Sequence, residues 1–124
     1  MTTWLRSLIP MMNGYVKGPE SEGGMSLKRR PLHIWQGRPP REQCGIDPAE
    51  IDLILVATSS SEVIYPCAAC EVQKAVGAVH AAGYDLNAAC TGFVLAFNTA
   101  QAYISAGLYR TILVVGAESM SNMV

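Results

Sequence analysis

The sequence predicts an α/β layered fold built on a parallel sheet, and three observations carry that reading. Two apolar, β-branched runs, "IDLILVATS" (residues 51–59) and "RTILVVGAES" (residues 110–119), have the length and composition of strands buried on both faces. Two stretches of helical pattern, "CAACEVQKAVGA" and "CTGFVLAFNTAQAYISAG", alternate with them. A third strand candidate, "HAAGYDLNA", falls between the helices, so the order is β-α-β-α-β with short connections.

Each element has local reasons. "REQCG" reads as a helix end with Gly45 as its cap. In "DPAE", Asp47 is placed to cap and Pro48 to open one short turn. "SSSEVIYP" is loop composition before the first helix, which ends near Gly77. In the second helix Phe93, Ala96, Phe97, Ala100 and Ile104 share one face, and Gly107 closes it. The chain before residue 42 behaves differently. "NGYVKGPESEGG" is linker composition, and "KRRPLHIWQGRPPR" shows no period. The predicted organisation is therefore an irregular arm over residues 1–41 and a partial α/β domain over residues 42–124.

Charge divides the chain at the same place. Up to Glu42 there are seven Lys and Arg against three Glu; from Gln43 onward there are two against seven Asp and Glu. The net charge of -1 argues against a nucleic-acid or membrane role, and the basic arm reads as a solvated segment. Half of the 124 residues are hydrophobic, which supports a real core. No signal peptide or run of transmembrane length is evident. The four cysteines, Cys44, Cys67, Cys70 and Cys90, are expected as free thiols in a reducing cytoplasm.

The chemistry concentrates at Cys90. It falls where the second strand turns into the second helix, and strand C-terminal ends are where open α/β folds place their sites. At a helix start, free N–H groups and the macrodipole favour a thiolate. Gly92 removes a side chain two residues on, leaving room for a substrate at the helix start. Such a junction suits a thiol nucleophile for acyl transfer, with backbone donors for an oxyanion. The alternative is a thiol that only packs, and position alone does not choose between them.

The wording of the segment chooses. "YDLNAACTGFVLAFNTAQAYISAG", followed by "ILVVGAESMS", resembles the nucleophile region of the thiolase-superfamily condensing enzymes, and within them the β-ketoacyl-acyl-carrier-protein synthase III family. The shared pattern is an apolar strand, Asp, small residues, then Ala-Cys-small-Gly-Phe. "IDLILVATSSSEVIYPCAACEVQKAVGA" fits the preceding strand, loop and helix, so the resemblance covers about residues 42–124. It implies a thiolase-like layered fold, here the β-α-β-α-β core of the N-terminal half, in an acyltransferase that initiates fatty-acid synthesis. Cys90 would take an acyl group from acyl-CoA, and malonyl-acyl-carrier protein would supply the attacking carbanion. Tyr65, before Pro66, matches the aromatic that reaches across a homodimer into the partner's acyl pocket, where Phe93 would also lie. Gly92 would belong to the oxyanion side of the helix start.

The resemblance implies no cofactor or metal, and pairing of the strand before Cys90 with its own copy. The family's second step uses a His and an Asn that these residues do not supply. His33 and His80 match no family motif, and the arm is expected to be an unrelated start, so the chain reads as a clipped form of doubtful activity. Polyketide-type and hydroxymethylglutaryl-type condensing enzymes are alternatives in substrate. The alternatives in class are a non-catalytic remnant and a thiol oxidoreductase using the C-x-x-C of Cys67 and Cys70. For that pair, small residues at a helix start are the plain explanation; packing is the plain role of Met120 and Met123.

Overall fold

A computed structural model describes the backbone of residues 13–17 and 33–35 and the full structure of residues 45–61 and 64–118. Among these are five strands and two α-helices. In chain order they are β1 (Asn13–Lys17), β2 (His33–Trp35), β3 (Leu53–Ala57), α1 (Ala68–Val76), β4 (Ala82–Leu86), α2 (Gly92–Ser105) and β5 (Thr111–Gly116). The strands form one sheet in the order β2-β1-β5-β3-β4. β3 lies between β4 and β5 and is parallel to both, with Leu55 level with Tyr84 on one side and Val114 on the other.

Alternation along the central strands builds two cores. Ile54 and Val56 of β3, with Leu113 and Val115 of β5, face α1 and pack on Ala68, Ala69 and Val72. Leu53, Leu55 and Ala57, with Ile112 and Val114, face α2 and pack on Ala96 and Ala100. Both faces are covered, so β3 is buried along its whole length, as its continuous apolar run requires. Burial of this kind is worth roughly 1.5–3 kcal/mol per large side chain.

The caps follow the sequence. Asp47 Oδ1 accepts from the Ala49 N–H at 3.0 Å and opens a 3₁₀ turn over Pro48–Glu50. Gly77 ends α1 in the left-handed conformation, at φ 78°, and donates its N–H to the Gln73 carbonyl. The Gln73 side chain then donates to the carbonyls of Ala78 and Ala81, tying the end of α1 to the connection into β4. The helix expected before Gly45 lies outside the described residues, as do Cys44, Met120 and Met123.

One expectation needs correction. The arm is not irregular throughout: β1 pairs antiparallel with β5, and β2 with β1. The rest of the arm lies outside the described residues. Five- and three-residue strands are too short to show a period; β1 pairs along the hydrogen-bonding edge that β5 would otherwise leave bare, and β2 along the edge of β1. β4, which the sequence marked only as a strand candidate, forms as expected. It is the last strand of the sheet, and its residues are exposed or half-buried.

Candidate active site

The chain reaches Cys90 through a sharp turn. β4 ends at Leu86, Ala89 lies in the left-handed region at φ 46°, and Ala89–Thr91 form one 3₁₀ turn before α2 begins at Gly92. A non-glycine residue held there costs on the order of 1–3 kcal/mol, and such strain gathers at functional positions. Its result is geometric: Cys90 stands exposed at the crest of the turn. Nothing in the sequence singles out Ala89.

The turn sits at a switch point of the topology. The connection leaving β3 forms α1 on one face, and the connection leaving β4 forms α2 on the other. Two adjacent parallel strands whose exits diverge leave a crevice beyond their C-terminal ends. Ala57 and Leu86 are the paired last residues of β3 and β4, and the Thr58 N–H continues the ladder to the Leu86 carbonyl at 3.1 Å. Cys90 follows directly.

The two helix starts at this end are treated differently. Asp85, on β4, accepts from the N–H groups of Ala68 and Ala69 at 2.8 Å each, so a carboxylate occupies the start of α1. No side chain caps the start of α2 among the described residues. Thr91 turns its hydroxyl back to the Ala88 carbonyl at 2.8 Å instead of capping. The anion-favouring end of α2 is thus left to whatever lies beside Cys90. Asp85 braces the strand into that turn, a structural reason for an Asp five positions before the cysteine.

The neighbouring loops are pinned by Glu118. Its carboxylate accepts from the Ser59 N–H and the Ser59 hydroxyl at 2.8 Å each, and from the Ser60 hydroxyl at 2.5 Å. The exits of β3 and β5 therefore form one rigid floor at the same end of the sheet. Sequence reasoning missed this cluster, because serine after a strand reads only as loop composition.

The other residues singled out by sequence are spread more widely. Gly92 is buried, and a Cβ on it would lie 3.3 Å from Ala57 Cβ. The space it frees is therefore taken by the sheet: glycine there lets α2 seat on β3, rather than opening room for a substrate. Phe93 is half-buried and packs against the core under α2. Tyr65 is 87% exposed on the loop before α1. Cys67 and Cys70 meet at the start of α1 with sulfurs 3.5 Å apart. His80 lies at the opposite end of the sheet, in an open cleft of about 450 Å³ with Asp52 and Arg110, so it is not brought to Cys90. Among the described residues no helix is long and apolar enough to cross a membrane.

Known proteins share this arrangement. The sequence model of 3-oxoacyl-[acyl-carrier-protein] synthase III matches residues 84–124. A beta-ketoacyl-[acyl-carrier-protein] synthase III of Clostridium acetobutylicum is 54% identical over 82 residues, covering 66% of this chain and 25% of the relative. The protein of the same name in Lactococcus lactis subsp. cremoris is 37% identical over 121 residues, covering 98% of this chain and 35% of the relative. That second alignment runs through the arm, so the start of the chain is not foreign to such proteins. Among solved structures, the 3-oxoacyl-[acyl-carrier-protein] synthase III of Aquifex aeolicus superposes with a TM-score of 0.64 at 35% identity, over 66% of this chain and 27% of that one. The priming β-ketosynthase of the R1128 polyketide pathway superposes with a TM-score of 0.62 at 41% identity, over 65% of this chain and 24% of that one. The chain spans about a quarter to a third of the length of these relatives. Its sequence around the strand–turn–helix and the thiolase-like sheet that carries it are similar, over these residues, to those of β-ketoacyl-[acyl-carrier-protein] synthase III proteins.

Proposed function

We propose that Cys90 is the acyl acceptor of a β-ketoacyl-acyl-carrier-protein synthase III. Its thiolate attacks the carbonyl carbon of acyl-CoA, the tetrahedral oxyanion collapses, and CoA leaves as the thiolate while the acyl group stays on Sγ. The observation that carries this reading is the placement of Cys90: exposed at the crest of a strained turn, at a switch point, beside a helix start that no described side chain caps. Malonyl-acyl-carrier protein then loses CO2, and its carbanion attacks the thioester. The His and Asn that the family uses for that second step are not among these 124 residues, so the chain itself accounts for the acylation half only. Tyr65 and Phe93 are assigned to the acyl pocket, Tyr65 reaching into that of a second copy across the β4 edge.

The test is incubation with acetyl-CoA followed by intact mass and peptide mapping. A thioester on Cys90, slow to form, is expected; Cys90→Ala abolishes it, while Cys67→Ala and Cys70→Ala leave it. A label on Cys67 or Cys70 would sink the assignment. The likeness to a priming polyketide synthase keeps this step and changes only what the acyl group is handed to.

A further inference from the structure

The C-x-x-C pair lies outside the proposed acyl-transfer site, and its geometry is specific. Cys67 is the capping residue of α1, with extended backbone at φ -68° and ψ 162°, and Cys70 lies in the first turn. Their sulfurs are 3.5 Å apart, against about 2.05 Å in a disulfide. Both side chains are half-buried, so neither is sealed from solvent.

The backbone around them is held from two sides. The Cys70 N–H donates to the Cys67 carbonyl at 3.0 Å, and the two residues between them donate to Asp85. Closing the remaining gap is therefore a matter of rotating side chains, with the helix start kept in place. We propose that Cys67 and Cys70 are a vicinal dithiol site that undergoes thiol–disulfide exchange with small-molecule disulfides and closes reversibly to an intramolecular disulfide.

The order of events follows from the environment. The Cys70 thiol is pushed up by its hydrogen bond with Cys67, then by burial, with the Asp85 carboxylate adding a smaller push. Cys67, at the very start of α1, is taken as the entering nucleophile, and Cys70, one turn in and pushed up, as the second. Cys67 Sγ attacks one sulfur of the disulfide RSSR, forming a mixed disulfide and releasing RS⁻. Cys70 then gives up its proton, attacks Cys67 Sγ, and releases the second RS⁻. Two protein thiols are oxidised and one disulfide is reduced to two RSH. The same pair of sulfurs would bridge a trivalent arsenical, which needs two neighbouring thiols.

The experiment uses the full chain, reduced and then equilibrated in oxidised and reduced glutathione, acid-quenched, alkylated and mapped. The expected result is a peptide lighter by two hydrogens in which Cys67 and Cys70 resist alkylation, with Cys90 still alkylated. Cys70→Ser should trap glutathione on Cys67, and Cys67→Ser, with no second thiol to close the bridge, should retain whatever glutathione Cys70 takes up. Phenylarsine oxide should bind once to the unaltered chain and be lost from either variant. Pairing of Cys67 or Cys70 with Cys44 or Cys90, or glutathione retained on Cys67 in the unaltered chain, would overturn the proposal. So would absence of any pairing there, a test that does not depend on the variants folding.

Discussion

At the scale of single residues, the turn into α2 depends on two features of different kind. Cys90 is the proposed acyl acceptor, and Ala89, in the left-handed region, shapes the turn that carries it. A β-branched side chain at φ 46° meets the backbone directly, so Ala89→Val should destabilise the chain by about 1–3 kcal/mol. Urea denaturation measures it, and an unchanged midpoint would mean the turn relaxes freely. Of the three described thiols, Cys90 is exposed and the other two are half-buried and in contact with each other. Cys90 should therefore be the first to react with iodoacetamide under reducing conditions, as read by peptide mapping over time.

At the scale of elements, the seating of both helices depends on glycines in close quarters. A Cβ on Gly83 of β4 would lie 3.0 Å from Ala69 Cβ in α1, whereas one on Gly92 would lie 3.3 Å from Ala57 Cβ. Overpacking of this kind costs roughly 1–3 kcal/mol. Gly83→Ala should sit at the upper end and Gly92→Ala at or below the lower, because the second contact needs less movement. Equal losses in thermal melts would contradict the geometry. The edge strand also carries a titration. Burial, then a 3.2 Å hydrogen bond with Tyr103, pushes the Tyr84 phenol up to about 12. A raised folded-state value means the folded chain holds that proton more tightly than the unfolded one. Its contribution is complete below about pH 10 and is lost as pH rises from about 10 to about 12. Tyr84 is 37% exposed, so the loss is small, and Tyr84→Phe should remove it from an alkaline stability profile.

At the scale of the whole molecule, the described sheet ends in the antiparallel strand β2 on one side and in the parallel strand β4 on the other. Beyond β5 the antiparallel strands β1 and β2 continue the ladder; beyond β4 no described strand follows. α2 is apolar around most of its circumference, and Val94 and Leu95 are 60% and 45% exposed. A helix of that composition is suited to burial on all sides. The expected behaviour is self-association with residues 83–87 protected, seen as a species larger than a monomer in sedimentation and as slowed amide exchange on β4. A freely soluble monomer would refute it. If Cys90 serves acylation as proposed and the second step needs a His and an Asn that these residues do not match, no 3-oxoacyl product should form from malonyl-acyl-carrier protein with these 124 residues alone. Product at an enzyme-like rate would mean that the arm contributes groups the sequence does not reveal.

What the sequence determined by itself was the order of elements, the two buried parallel strands, the caps at Asp47 and Gly77, and the strand-to-helix junction that holds Cys90. These are local or periodic properties, written in runs of a few residues. The tertiary structure decided what depends on distant neighbours. β1 forms because β5 offers an edge, and β2 because β1 then offers another, not because their own residues demand a strand. β4 is half-exposed because of its place at the end of the sheet, which its own residues do not reveal. Asp85 closes the start of α1 and leaves that of α2 open, a distinction visible only once both helices stand at the same end of the sheet. Gly92 likewise changed meaning: in sequence it leaves room for a ligand, but in the fold that room is filled by Ala57, since a missing side chain has a direction only in three dimensions.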